Sequence, residues 1–196
     1  MTFFKGSEPR TPWNKGKLVG QKLPLKPEQI WAIRIHLEMA HKIRDLALFN
    51  LALDSKLRGC DIVKLTVKDV SMGDEIKSRS SVLQQKTKQP VQFEITVSTQ
   101  QSLDTWIHSA ALCGTGYLFP SRVRRCSHLS TRQYARIVKR WVSSIGLDPA
   151  LYGTHSMRRT KAALIYRRTK NIRAIQLLLG HTKLESTVRY LGIDVD

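Results

Sequence analysis

The sequence predicts a mainly α-helical fold with a small antiparallel β-sheet, which is the α+β class. Apolar residues recur at helical spacing through most of the 196-residue chain. One stretch, residues 91–97, instead alternates between apolar and polar side chains, as a strand with one buried face does. With 41% hydrophobic and 24% charged residues, the chain has the balance of a globular protein and the length to bury one core.

Three helices are expected in the first part of the chain. The first begins near Pro27, because proline suits the first position of a helix. The second covers about residues 42–54 and is apolar nearly all round, so it should lie at the centre of the core. A short third helix should follow Arg58. The apolar face of the first helix comprises Ile30, Ile33, Leu37 and Ala40.

The β-sheet is expected in the middle of the sequence, as two neighbouring strands. The weaker strand covers about residues 76–84, and the turn after it contains Lys86. Because the connection is this short, the two strands should pair antiparallel. The buried face of the second, stronger strand comprises Val91, Phe93, Ile95 and Val97.

The remainder of the chain is expected to be helical. One helix should cover about residues 155–169. Asn171 should cap a short helix that Gly180 ends, since asparagine suits the N-cap and glycine the position after a helix. The last helix should reach Leu191. Three capping boxes, each Ser or Thr followed three residues later by Gln or Glu, mark further helix starts at 98–101, 130–133 and 182–185.

The chain is strongly basic, with 33 Lys and Arg residues against 15 Asp and Glu residues and a formal net charge of +18. This excess favours nucleic acid as the partner, ahead of a ribosomal partner or a merely solvated basic surface. Residues 1–24 are rich in Gly, Pro and Lys and are expected to form a flexible basic arm. The residues expected to contact nucleic acid are Arg122, Arg124, Arg125, Arg132, Arg136, Lys139, Arg140 and Arg159.

Other features of the composition exclude some classes of protein. No run of about 18 apolar residues predicts a membrane span, and no apolar stretch near the N-terminus predicts a secretory signal. Cys60, Cys113 and Cys126 are odd in number and widely spaced. This spacing argues against a disulfide scaffold and against structural zinc, and it suits a reducing cytosol. The sequence therefore predicts a cytoplasmic protein that binds no metal.

Two short patterns near the C-terminus could support chemistry on a phosphate. His155 and Arg158 share one face of the first turn of a predicted helix, where free backbone amides also favour an anion. His181 lies in the turn between two short helices, and Tyr190 follows near the end of the second one. The alternatives are a surface pair for His155 and Arg158 and a core aromatic for Tyr190. Arg159 is a rival to Arg158, although the spacing from the histidine favours Arg158.

Two patterns earlier in the chain could contribute to the same chemistry. Arg58 precedes a helix start, and Asp61 could hold it by a charge-assisted contact, unless Asp61 only caps the helix and Arg58 is solvated. Lys86 in the β turn is either solvated or able to deliver a proton, and Lys88 is its rival.

Taken together and in this order, these residues resemble the signature of the tyrosine recombinases, the phage integrase family. The resemblance covers about residues 25–193 and is most specific between His155 and Tyr190. It implies the catalytic-domain fold of that family for residues 25–196, with no separate N-terminal domain that grips DNA. In this respect the chain resembles the small fimbrial-switch invertases. Only six residues follow Tyr190.

The resemblance implies a role for each signature residue. Tyr190 would attack the scissile phosphate and form a 3′-phosphotyrosyl bond, while Arg58 and Arg158 hold the non-bridging oxygens. His181 would donate a further hydrogen bond to those oxygens.

The proton transfers are assigned to three other residues, again by resemblance. Lys86 would be the general acid for the 5′ oxygen, and His155 would assist as the base near the tyrosine. Asp61 would orient Arg58 or His155. No cofactor is implied, because the covalent bond to the enzyme conserves the phosphodiester.

The resemblance therefore implies a site-specific DNA recombinase for integration or inversion, from a bacterium or a mobile element and associated with the nucleoid. Its partners would be double-stranded DNA with inverted-repeat sites and further copies of the chain in a tetrameric synapse. An accessory protein or a partner recombinase is left open. Two alternatives are a catalytically silent DNA-binding regulator of the same fold and an enzyme like the type IB topoisomerases.

Overall fold

The computed structural model of the protein describes residues 20–122, 127–180 and 183–191. Within these ranges the fold is mainly helical with two small antiparallel hairpins, which confirms the predicted α+β class. The helices are α1 (Pro27–Met39), α2 (Ile43–Ser55), α3 (Gly59–Ile62), α4 (Val67–Val70), α5 (Val97–Ser109), α6 (Thr131–Ser144), α7 (Thr154–Thr169), α8 (Ile172–Leu179) and α9 (Leu184–Leu191). The strands are β1 (Ser71–Met72), β2 (Glu75–Ile76), β3 (Arg79–Leu83) and β4 (Pro90–Glu94).

Helix α2 lies at the centre of the core, as its apolar sequence predicts. Leu48, Phe49 and Leu51 are fully buried, and α2 packs against α1, α5 and α7. The ring of Phe49 meets the ring of Trp141 from α6 edge to face, with 5.3 Å between the centroids. Because α7 packs on α2, the helix that carries His155 and Arg158 is fixed relative to the core. Ala40, predicted on the apolar face of α1, is instead exposed at the end of that helix.

Strands β3 and β4 form the predicted antiparallel hairpin, in which Ser81 faces Gln92 across the ladder. The predicted second strand is too long, however, because β4 ends at Glu94 and Val97 is 68% exposed at the start of α5. The other hairpin, β1 with β2, has strands of two residues each and was not predicted. Strands this short leave no alternation for a sequence pattern to detect.

Two helix starts that depend on local contacts were predicted correctly from the sequence. Ser130 accepts a hydrogen bond from the Gln133 amide at 3.1 Å, and Asn171 accepts one from the Ala174 amide at 2.9 Å. Gly180 ends α8 with φ of 63°, a left-handed conformation that favours glycine. The capping box at 182–185 begins on a residue outside the described ranges.

The helix start predicted from the capping box at 98–101 is wrong. Helix α5 begins at Val97, and its N-cap residue is Thr96. The reason is a tertiary contact. The backbone amide and the hydroxyl of Thr96 both donate to Asp54 on α2, at 3.0 and 2.6 Å, and the hydroxyl of Thr99 donates at 2.7 Å. Asp54 therefore fixes the start of α5.

Asp54 also joins α2 to α7, since its second oxygen lies 3.1 Å from Nζ of Lys161. The carboxyl group is only 4% exposed. Burial raises its pKa, but the hydrogen bonds from Thr96 and Thr99 and the charge of Lys161 outweigh burial, so the pKa is lowered overall. This one ionised group therefore joins the end of α2, the start of α5 and the middle of α7.

Residues 20–24, which the composition assigns to a flexible arm, contact the folded domain. The Leu23 amide donates to the Leu151 carbonyl at 3.0 Å, and the Leu25 amide donates to the Thr160 hydroxyl at 2.8 Å. Leu25 itself is 2% exposed. The rest of the predicted arm, residues 1–19, lies outside the described ranges. Among the described helices, none combines the length and the hydropathy of a membrane span.

We expect Asp54→Asn to lower the free energy of unfolding by about 2–4 kcal/mol, because it breaks a buried ion pair and part of its hydrogen bonding. Since folding lowers the pKa of Asp54, its contribution is complete above the ordinary value of 3.8 and is lost as the pH falls through the folded-state value. Urea unfolding at pH 7 and near pH 3 measures both effects.

The matched control is Asp104→Asn, because Asp104 is 49% exposed beside His108. This control should change the free energy of unfolding by less than about 0.5 kcal/mol. Equal losses in the two variants would contradict the role given to Asp54.

Candidate active site

Arg58 lies at the junction between α2 and α3. It follows the buried end of α2 directly and is the N-cap residue of α3, with its side chain half-buried. Its Nη1 donates to Oε1 of Gln84, at the end of strand β3. The guanidinium therefore points toward the β3–β4 hairpin and is held there by a neutral acceptor.

Gln84 is a site residue that sequence reasoning missed. It is 1% exposed, and the same Oε1 that accepts from Arg58 also accepts from the Thr87 hydroxyl at 2.9 Å. Gln84 thus connects Arg58 to the turn of the hairpin. In the sequence, Gln84 is only a glutamine between the end of a predicted strand and a turn. Glutamine at such a position is usually exposed, so nothing marks it as a site residue.

Asp61 does not hold Arg58, and this prediction is wrong. Its Oδ1 accepts from the Gln85 backbone amide at 2.9 Å, and no ion pair joins it to Arg58 in the described part of the chain. The side chain is 5% exposed. Asp61 faces the hairpin because the free amide in the turn needs an acceptor. It therefore fixes the residue next to Lys86.

Lys86 lies in the turn at residues 85–87, with an exposed side chain. The turn closes through the Lys88 amide, which donates to the Gln84 carbonyl at 2.9 Å, and Lys88 adopts a left-handed φ of 53°. The charge of Lys86 is close enough to His155 to lower the pKa of that ring. The hairpin thus brings Lys86 toward the start of α7.

The first turn of α7 carries His155 and Arg158. Arg158 is 3% exposed, and its Nη2 donates to the carbonyl of Leu179 at the end of α8. Its Nε has no hydrogen-bond partner among the described residues. Burial lowers the pKa of Arg158, while the nearby Tyr190 and Asp61 act in the opposite direction.

His155 is neutral near pH 7. Partial desolvation lowers its pKa first, and the positive charges of Arg158, Arg159, Arg58 and Lys86 lower it further. A neutral imidazole can accept a proton, which an imidazolium cannot. The ring is exposed on the surface of the domain, where a ligand can reach it.

Tyr190 lies in α9 with its ring packed against Ala162, Ile175 and Leu179. Its hydroxyl oxygen is buried, and the positive charges of Arg158, Arg159 and Arg58 act on it. Burial raises the pKa of this phenol, and the three charges offset that increase only in part. The hydroxyl therefore faces the arginines and is not enclosed by apolar groups alone.

Arg159 does not lie on an exposed surface, where it was predicted to contact nucleic acid. It is 7% exposed, and its Nη1 donates to the carbonyl of Lys22. Its Cζ lies 4.8 Å from the centre of the Tyr190 ring. One turn of α7 therefore buries two consecutive arginines, which sequence patterns do not predict because buried arginines are rare.

Other predicted basic residues form an exposed surface on α6, opposite its buried face. That buried face includes Tyr134, Ile137 and Trp141, as expected for an amphipathic helix. The exposed basic residues are Arg132, Arg136, Lys139 and Arg140 on the helix, with Arg122 before it. Arg124, Arg125 and the predicted site residue His181 lie outside the described ranges.

The fold brings most of the predicted site residues together from distant parts of the chain. Arg158 lies within electrostatic reach of Arg58, Asp61 and Tyr190, and His155 within reach of Arg58, Arg158 and Lys86. The described residues contain no cluster of His, Cys, Asp and Glu that suits a metal ion. Two guanidinium groups beside a phenol form an arrangement that can bind a phosphate and attack it.

Comparison with known proteins gives the family. Residues 24–195 match the model of the phage integrase family. The probable integrase/recombinase YoeC of Bacillus subtilis (strain 168) is 34% identical over 169 residues, which are 86% of this chain and 88% of that protein. The tyrosine recombinase XerC of Neisseria gonorrhoeae (strain ATCC 700825 / FA 1090) is 29% identical, and the match covers 79% of this chain and 48% of that protein. The chain thus spans about half the length of the XerC relative.

Solved structures agree on the fold. The XerA recombinase superposes with a TM-score of 0.74 at 19% identity, over 94% of this chain and 65% of that chain. A lambda integrase dimer bound to a COC' core site gives a TM-score of 0.65 at 19% identity, and the match covers 90% of this chain and 51% of that chain. Both confirm the fold that the resemblance implied.

We expect Asp61→Ala to speed hydrogen exchange of the Gln85 amide by about tenfold or more, because a hydrogen bond to a charged acceptor contributes about 1.5–3 kcal/mol. Asp61→Asn keeps an oxygen acceptor and should preserve most of the protection. Amide exchange followed by NMR on this one residue measures the effect. Unchanged exchange in Asp61→Ala would mean that the turn does not depend on Asp61.

Proposed function

The chain belongs to the phage integrase family, and from this premise we propose that it is a tyrosine-type site-specific recombinase. It breaks and rejoins duplex DNA through a 3′-phosphotyrosyl intermediate, for DNA integration or inversion. The observation that carries the proposal is the position of the Tyr190 hydroxyl, which is buried where the charges of Arg58, Arg158 and Arg159 act on it.

Arg58 and Arg158 bind the scissile phosphate. Each guanidinium is held by one neutral acceptor, Gln84 for Arg58 and the Leu179 carbonyl for Arg158, so each keeps further N–H donors for the non-bridging oxygens. The planar fork of an arginine suits a phosphate oxygen pair, and donors fixed before binding stabilise the charge of the transition state without reorganisation. His181 adds a hydrogen bond to the same oxygens, as the family resemblance implies.

Tyr190 is the nucleophile. Because burial raises the pKa of the phenol, it needs a base, and the neutral His155 supplies one. The tyrosine oxygen forms a bond to phosphorus as the bond to the 5′ oxygen breaks, and Lys86 gives a proton to that oxygen. The number of phosphoester bonds is unchanged, so no cofactor is needed. Asp61 keeps the turn that carries Lys86 in place.

The exposed basic residues of α6 contact the DNA backbone. Arg132, Arg136 and Lys139 recur at helical spacing on its solvent face, which suits a row of phosphates. Arg122 and Arg140 extend the same basic surface, and the sequence adds Arg124 and Arg125 as further proposed DNA contacts. These contacts supply affinity that does not depend on sequence.

The partners are double-stranded DNA with inverted-repeat sites and further copies of this chain in a tetrameric synapse. Two duplexes must be cut for strand exchange, and each cut strand uses one tyrosine. The protein acts on DNA at the nucleoid of its host. An accessory protein or a partner recombinase would add contacts that this chain does not supply.

We expect Tyr190→Phe to abolish the covalent protein–DNA adduct, because it removes only the attacking oxygen. A nicked suicide substrate traps the adduct on wild-type protein, and mass spectrometry of the trapped peptide identifies the modified residue. DNA affinity, measured on the same substrate, should stay within about twofold, because a phenylalanine keeps the ring contacts. The matched control is Tyr166→Phe, which should still form the adduct.

Each alternative has its own outcome in this experiment. An adduct on Tyr190→Phe would contradict the assignment of the nucleophile. Failure of wild-type protein to form any adduct would favour a DNA-binding regulator of the same fold. An adduct without joined product from two duplexes would favour an enzyme like the type IB topoisomerases.

We expect Lys139→Ala to weaken binding equally for target and scrambled DNA and to reduce the slope of log affinity against log salt by about one. The reason is that one phosphate contact releases about one counterion. Fluorescence anisotropy at several salt concentrations measures both quantities. Lys68→Ala, which removes an exposed lysine of α4, is the control and should leave the slope unchanged. A loss confined to target DNA would instead mean that Lys139 reads bases.

A further inference from the structure

The segment before α1, which we call the N-terminal strap (residues 20–26), is fixed to the domain near the start of α7. Nζ of Lys22 donates to the Ala150 carbonyl at 2.6 Å, and the Leu23 amide donates to the Leu151 carbonyl at 3.0 Å. The Leu25 amide donates to the hydroxyl of Thr160, one residue after Arg159. These hydrogen bonds fix the strap to the residues just before α7 and to the second turn of α7.

Arg159 contacts the strap and Tyr190 at the same time. Its Nη1 donates to the Lys22 carbonyl, and its Cζ lies 4.8 Å from the centre of the Tyr190 ring. A guanidinium can do both, because its N–H groups lie in its plane while its face is free to stack on an aromatic ring. A lysine ammonium has no such plane. This geometry distinguishes Arg159 from an ordinary buried cation.

Helix α9 packs against α7 and α8. The apolar residues it packs against form a small cluster of Ala162, Ile175 and Leu179, separate from the main core. An open cleft of about 510 Å³ lies between the strap and the helix, lined by Gln21, Arg159, Lys183, Glu185, Ser186 and Tyr190. Within this lining, Arg159 contacts both the strap and Tyr190.

We propose that Arg159 is a positioning residue that couples the N-terminal strap to the nucleophile: the strap fixes its guanidinium, and the guanidinium fixes the ring of Tyr190 on α9. This inference rests on the proposed role of Tyr190. Its consequence is that a change in the strap, which is far from Tyr190 in sequence, alters the rate of cleavage through Arg159. The segment that precedes the domain thereby controls the activity of the domain.

The first test compares single and double variants in cleavage. We expect Arg159→Met to slow adduct formation on saturating suicide substrate by about tenfold, while DNA affinity stays within about twofold. Leu23→Pro removes the strap hydrogen bond to Leu151 and restricts the peptide whose carbonyl binds Arg159, and it should slow the same step by about threefold. The double variant should be no slower than Arg159→Met alone, because both changes break the same coupling. Multiplied losses in the double variant would overturn the proposal.

The second test does not depend on activity. Hydrogen exchange of α9 should be faster in Arg159→Met than in wild-type protein, because the ring loses its stacking partner. The control is Arg167→Met, which removes a charge from an exposed position of α7, the helix that also carries Arg159. It should leave the hydrogen exchange of α9 unchanged.

The outcomes of the two tests separate the proposals. If wild-type protein forms no adduct, the proposed function fails, and the exchange experiment still decides whether Arg159 holds α9. If wild-type protein forms the adduct but Arg159→Met and Arg167→Met behave alike in both tests, the proposed function stands and the role of Arg159 is overturned.

Discussion

The half-buried Arg58 and the buried Arg158 lie close enough for their like charges to influence each other. Their repulsion and their lost hydration oppose folding. Neutral acceptors hold each side chain, and Asp61 lowers the local positive potential while bonded to the hairpin turn. In the proposed function, a phosphate bound by both guanidinium groups would relieve this repulsion.

The rigidity that this arrangement needs comes from the main core. Helix α2 leads directly into Arg58, and Asp54 near its end joins it to the start of α5 and to α7, the helix that carries Arg158. The two arginines are thereby attached to elements that are packed against each other. Tyr190 is attached differently, through a small separate apolar cluster and the stacked Arg159. Arg58 and Arg158 are thus attached to the main core, whereas Tyr190 is attached to a smaller apolar cluster.

Contacts between neighbouring residues could be predicted from the sequence, whereas contacts between residues far apart in the chain could not. Ser130, Asn171 and Gly180 act within one helical turn, so their roles can be read from neighbouring residues. The start of α5 could not, because Asp54 lies more than forty residues away from Thr96 in the chain. In the site, the ordered motif predicted Arg58, Lys86, His155, Arg158 and Tyr190, which interact electrostatically in the structure. It did not predict Gln84. Nor did it predict that Asp61 faces the Gln85 amide, because that acceptor–donor pair exists only once the hairpin packs on α3.

The hydrogen-bond acceptors of the three arginines differ in whether a substitution can remove them. Arg158 and Arg159 donate to main-chain carbonyls, those of Leu179 and Lys22, and these atoms persist whatever side chain occupies the position. Arg58 depends on the side chain of Gln84, which a single codon change removes. The hydrogen bonds of Arg158 and Arg159 therefore do not depend on which side chains stand at 179 and 22, although Leu179 is also buried against Tyr190. The hydrogen bond of Arg58 does depend on the side chain at 84. A lineage that loses this glutamine must recruit another acceptor for Arg58.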